Sequence, residues 1–185
     1  MLACPLVPLS PGACYVTLVS GASSLFLKTD PSNPSRDLLQ WKWQKGEALV
    51  VADFGNPRQT TSYVLCVWDG ASSLVSATRM PAAGTCKNGV ECWKQTSTSF
   101  QYKDNDLTPD GMQLLKLKAG SDGRSNVQAK GKGALLPAPS YPLALPVTVQ
   151  LLNSNGDCWE TTFGSTFVPS KNLAGPPALF KAKSD

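Results

Sequence analysis

The chain of 185 residues contains no histidine. That absence excludes Ser-His-Asp and Cys-His catalysis, His-ligated zinc or copper and a histidine-based pH switch. Charge is sparse as well: charged residues make up 16% of the chain and hydrophobic residues 42%. Sparse charge with ordinary apolar content argues against disorder, which needs few apolar side chains and much like charge. Only three glutamates occur, Glu47, Glu91 and Glu160. No acidic pair marks a glycosidase-type cleft, and neither a Gly-x-Ser-x-Gly elbow nor a phosphate loop is present, so no enzyme is expected. No apolar run approaches the length of a membrane span, and none is expected. Residues 1–14 are apolar but uncharged and are interrupted by Pro5, Pro8 and Pro11. They lack the basic and continuous apolar regions of a signal peptide, and the expectation is a signal already removed or a piece of a longer chain.

What is present points to strands. Fifteen glycines and fifteen prolines are spread without a period, among many serines and threonines. Alternation of apolar and polar residues, cut by Gly, Asn and Asp, predicts strands at 13–20, 23–29, 37–44, 47–53, 61–68, 73–79, 98–103, 112–118, 125–131, 146–152 and 157–163. The proline-rich stretch 134–146 reads as a crossover between sheets. About 9–11 short strands are too many for one open sheet, so the expected fold is an all-β, disulfide-stapled β-sandwich of immunoglobulin-like or jelly-roll type. Residues 1–20 are expected to form an N-terminal apolar, Pro-rich segment or assembly strand, and 21–185 the single sandwich domain.

Three turns share one shape: Lys87-Asn88-Gly89, Ser121-Asp122-Gly123 and Ser154-Asn155-Gly156. Each suits a three-residue hairpin loop with glycine in the left-handed position. That register sets Leu117 against Val127 and Leu115 against Ala129, and Leu151 against Trp159 and Val147 against Phe163. A two-residue loop would bury the wrong residues in the first hairpin. At 87–89 the same loop brings Cys86 and Cys92 onto one face.

The six cysteines, Cys4, Cys14, Cys66, Cys86, Cys92 and Cys158, form no Cys-x-x-Cys pair. Disulfides and an extracellular, periplasmic or cell-surface location are the expected reading, with reduced buried thiols as the alternative. The loop geometry favours Cys86–Cys92; Cys4–Cys14 is the next most local pair, which leaves Cys66–Cys158 by elimination.

Three groups of residues could carry a function. Trp41 and Trp43 share a face of one strand, either as sandwich core or as an aromatic platform for sugar rings extended by Trp93, Tyr102 and Trp159. Asp104, Asp106 and Asp110 begin like a calcium loop, but Leu115 stands where an EF-hand has its bidentate glutamate. A polar hairpin loop is the plainer reading; no cofactor is expected beyond a structural Ca²⁺. Lys116, Lys118, Lys130 and Lys132 form one basic face, either a solvated surface that discourages aggregation and edge pairing or an attractor of polyanions such as acidic polysaccharide or nucleic acid. With only four arginines and no aromatics beside these lysines, nucleic acid is not an expected partner.

From Asp30 onward the chain resembles a β-rich domain type of predicted secreted bacterial proteins. The likeness is carried by Leu39-Gln40-Trp41-Lys42-Trp43, Leu65-Cys66-Val67, Cys92-Trp93-Lys94, Phe100-Gln101-Tyr102-Lys103-Asp104, Pro109-Asp110-Gly111, Lys130-Gly131-Lys132-Gly133 and Cys158-Trp159-Glu160. It implies export and modular character, and no activity or functional residue comes with it. The expected role is a non-catalytic extracellular structural, adhesion or self-assembly module of bacterial origin, partnered by itself or by a cell surface. The N-terminal segment would dock on a neighbour. A carbohydrate-binding module built on the tryptophans is the alternative.

Overall fold

A computed structural model of the chain describes residues 2–70, 72–167 and 169–185. In chain order the strands are β1 (Ser24–Thr29), β2 (Leu38–Gly46), β3 (Tyr63–Asp69), β4 (Ser73–Met80), β5 (Thr85–Cys86), β6 (Val90–Glu91) and β7 (Trp93–Gln95). They continue with β8 (Ser99–Lys103), β9 (Met112–Lys118), β10 (Ser125–Lys132), β11 (Val147–Asn153), β12 (Cys158–Phe163), β13 (Lys171–Leu173) and β14 (Ala178–Lys183). An eight-stranded sheet runs β13-β14-β1-β2-β10-β9-β8-β7, and a four-stranded sheet runs β12-β11-β3-β4. Strands β5 and β6 form a separate small hairpin. The two main sheets face each other across one core, to which the large sheet gives Leu25, Trp41, Trp43, Leu115 and Val127 and the small one Tyr63, Leu65, Val149 and Trp159. This is the expected all-β sandwich, with its apolar faces removed from water between the layers.

The hairpin registers follow from the turns. Leu117 lies opposite Val127 and Leu115 opposite Ala129; Leu151 lies opposite Trp159 and Val147 opposite Phe163; Cys86 lies opposite Val90. Gly123 and Gly156 close their loops at φ of 75° and 101°, where a side chain would be strained.

Two predicted strands take other forms. Residues 13–20 make only isolated bridges, Tyr15 to Trp159 and Thr17 to Gly46. Within 47–53 the chain instead enters a 3-10 turn, Val51–Phe54, because the Asp53 carboxylate accepts the Val50 N–H at 2.7 Å and Phe54 enters the core. Strand β14 escapes sequence reading because its inward residues are Ala178, Phe180 and Ala182, a weak apolar signal with a single large side chain.

The N-terminal segment lies on its own domain. It runs over the outer face of the four-stranded sheet, where Leu2 and Cys4 pack on Val64, Cys66 and Trp68. The buried Gln150 side chain gives Leu9 both partners of a backbone-like pair, accepting its N–H at 3.0 Å and donating to its carbonyl at 3.1 Å. The segment explains why β3 is buried on both faces, unusual for an antiparallel strand with one face open to water.

Two disulfide pairings depart from expectation. The bridges are Cys4–Cys66, Cys14–Cys158 and Cys86–Cys92, with Cα separations of 5.8, 4.7 and 5.1 Å. Cys86–Cys92 is the pair that the loop geometry favours. Cys66–Cys158 is not formed: β11 lies between β3 and β12, so the two cysteines stand two strand spacings apart, roughly 10 Å and beyond disulfide reach. Cys4–Cys14 is not formed either, because the segment between them is stretched across the sheet and each cysteine meets a strand beneath it. No helix among the described residues is long and apolar enough to cross a membrane.

Candidate functional site

The aromatic platform has no surface. Trp41, Trp43 and Trp159 are 0% exposed, Trp93 1% and Tyr102 2%. Alternation places them on the inner faces, where burying large rings is most favourable. Tyr15 stacks on Trp159 at 5.8 Å, and Tyr63 links Trp159 to Trp93, which meets Tyr102 at 5.2 Å. Two of the indoles use their polar tips internally, Trp43 Nε1 donating to the Glu160 carbonyl at 3.1 Å and Trp93 Nε1 to the Pro81 carbonyl at 2.8 Å, while Trp41 Nε1 and Trp159 Nε1 are buried without a partner among the described residues. Burial pushes the Tyr63 and Tyr102 hydroxyls well above the usual phenol range. These rings hold the sheets together and cannot stack on an external sugar.

The three aspartates do not converge. Asp104 is buried and turns its carboxylate onto its own loop, accepting the N–H of Asp106 at 2.7 Å and of Thr108 at 3.0 Å. Asp110 faces away to Arg79 on β4, accepting from Nε at 2.6 Å and Nη2 at 2.8 Å. The Arg79 hydrogen bonds hold the Asp110 carboxyl below the usual range, against its partial burial. The loop is thus a clasp between the sheets. Among the described residues, no group of three His, Cys, Asp or Glu side chains is placed to hold a metal ion.

The four lysines do come together, and they are part of something larger. Lys116, Lys118, Lys130 and Lys132 are exposed on β9 and β10. These strands lie in the middle of the eight-stranded sheet, so protecting a sheet edge does not explain them. Twelve of the thirteen lysines lie in the strands of this sheet, and those strands contain no Asp or Glu. The rest of the chain carries the remaining five cations and all thirteen acids. A molecule of formal net charge +4 is therefore divided into a strongly cationic sheet and an acidic remainder. Neither ion pair among the described residues involves a lysine.

The sheet register orders this charge. One row across seven strands reads Lys183, Ser24, Lys42, Gln128, Lys116, Gln101, Lys94. The next reads Lys171, Lys181, Phe26, Gln40, Lys130, Leu114, Lys103. In the first row a lysine stands on every second strand, roughly 10 Å from the next. That spacing exceeds the Debye length of about 8 Å at physiological salt, so the lysines tolerate one another, while an extended polyanion could meet several at once.

At one end of these rows the face deepens into an open groove of about 770 Å³. Phe26 and Gln40 contribute to it from the sheet, Lys181 and Lys183 stand on β14, and Phe167 and Ser170 come from the loop before β13. Asp185 fixes that loop: its carboxylate accepts the N–H groups of Ser165, Thr166 and Phe167 at 2.8, 2.9 and 2.6 Å and the Ser165 hydroxyl. Burial opposes ionisation of Asp185, but these donors together hold its carboxyl below the usual range. Phe167 is left 53% exposed. Neither the groove nor Lys28, Lys42, Lys94 and Lys103 was anticipated from sequence. A usable signal was there: the alternating segments 23–29, 98–103, 112–118 and 125–131 all carry lysine in the polar phase and contain no acid.

No protein-family model, no curated protein and no solved structure matches the chain, so a functional reading rests on this geometry.

Proposed function

We propose that the protein is a non-catalytic, exported adhesion module that attaches to anionic surfaces through the outer face of its eight-stranded sheet. The observation that carries this is the segregation of charge, with twelve lysines and no acid in the strands of that sheet. Lysine is a compact, strongly hydrated point charge, suited to dispersed anions more than to planar bidentate recognition. Three disulfides support export, since such bridges persist in oxidising compartments. The N-terminal segment, bound on its own sheet, offers no support for assembly by strand exchange.

The test is retention on dextran sulfate compared with neutral dextran. The protein should be held on the sulfated matrix at low salt and released as salt rises. Lys42→Glu, Lys116→Glu and Lys130→Glu together should abolish retention. The control K87E/R36E/R124E changes net charge equally at positions outside the strands of this sheet, and should be retained. Equal behaviour of the two triple variants would show that net charge and not this face is responsible.

A further inference from the structure

Resting on that reading, we infer that the groove beside β14 is a binding subsite for a carboxylated pyranose, and that the anionic partner is an acidic polysaccharide of the uronic-acid type. In the sheet register Phe26 lies between Lys181 on β14 and Gln40 on β2. Successive strands thus present a cation, an apolar ring and an amide, each roughly 4.8 Å from the next. A pyranose has an apolar ring face, a rim of hydroxyls and, in a uronic acid, a carboxylate attached directly to the ring. Set over Phe26, such a sugar turns its carboxylate toward Lys181 and its hydroxyls toward Gln40.

Phe167 lines the same groove from the loop that Asp185 holds, giving a second aromatic surface. Lys183 adds a second cation and begins the row in which lysine alternates with Ser24, Gln128 and Gln101. An alternation of cation and hydrogen-bonding side chain matches a chain in which carboxylates alternate with hydroxyl-rich rims. Nucleic acid fits less well. None of the four arginines lies in the strands of this sheet, and the lysine rows beyond the groove have no aromatic on which bases could stack. The stacking platform sought among the tryptophans is thus replaced by two phenylalanines at the surface.

The experiment measures affinity for polygalacturonate, its methyl-esterified neutral form, dextran sulfate, double-stranded DNA and phosphatidylserine vesicles at one ionic strength. The wild type should bind polygalacturonate at least tenfold more tightly than the methyl ester, and more tightly than DNA or vesicles. Phe167→Ser, which alters an exposed ring and leaves the core intact, should weaken polygalacturonate binding at least fivefold. It should leave dextran sulfate binding within twofold. K181S/K183S should reproduce the loss. If Phe167→Ser changes neither ligand, the groove assignment is overturned while the lysine-face reading stands. Tighter binding of DNA or vesicles, or equal binding of the methyl ester, overturns the polysaccharide assignment. Failure of the wild type to bind any polyanion removes both readings.

Discussion

Replacing Cys4 and Cys66 together by alanine should lower the melting temperature by about 8–16 °C. The bridge closes a loop of 62 residues, and on the chain-entropy account its removal returns about 4 kcal/mol of freedom to the unfolded state. Each kcal/mol moves the midpoint of a domain of this size by about 2–4 °C. The same arithmetic ranks the other bridges. Cys14–Cys158 closes 144 residues and should be worth about 5 kcal/mol. Cys86–Cys92 closes only 6 and should be worth roughly 2 kcal/mol. The assay is thermal unfolding of the three double-alanine variants, followed by far-ultraviolet circular dichroism. Loss of Cys4–Cys66 has a second signature, because Leu2 and Cys4 cover Trp68, which is otherwise on the outer face of β3. If the segment lifts, tryptophan emission shifts to the red before global unfolding. The chain-entropy account fails if removal of Cys86–Cys92 costs as much as removal of Cys4–Cys66. It fails equally if the Cys4–Cys66 variant melts within about 3 °C of the parent, less than half the smallest shift expected.

A Cβ built at Gly46 would fall inside the indole of Trp43, a ring that is fully buried in the core and has no free space into which to turn. Gly46→Ala should therefore cost about 3 kcal/mol or more by urea denaturation, and a cost under about 1 kcal/mol would show that the core around Trp43 has room to rearrange. Asp110→Asn removes the charge from the clasp to Arg79, and because the Arg79 side chain is 36% exposed the loss is limited by screening to about 1 kcal/mol. The folded Asp110 carboxyl titrates below its unfolded value, so this contribution is present above about pH 4 and is lost as pH falls through the folded value. Parent and variant should differ in urea midpoint at about pH 6, and the difference should shrink as pH falls below about 4; a difference that does not shrink in acid would place the effect elsewhere.

Local chemistry determined much of this protein. Apolar alternation and the glycine at the third place of each loop specified the register of β11–β12, and of β9–β10 as far as the irregularity at Lys130/Gly131, because a one-residue slip would turn every side chain to the wrong face. The same local rule identified Cys86–Cys92, a bridge within one hairpin. It could not find β14, whose inward alanines leave little periodic signal, nor see that the extended residues 13–20 pair with two different strands as isolated bridges. Only the tertiary structure decided how Cys4, Cys14, Cys66 and Cys158 pair, since strand order separates the first from the second and the third from the fourth. It also decided between the two readings of Trp41 and Trp43, which alternation places on one face without saying whether that face meets the other sheet or water. The cationic surface belongs to both levels. Lysine in the polar phase is written along each strand, but its union into ordered rows, and its meeting with Phe26 and Phe167 in one groove, arise from a strand order that joins segments more than a hundred residues apart. Hydrogen bonding between strands is sensitive to which edges meet in space, and that information is not carried by any one segment.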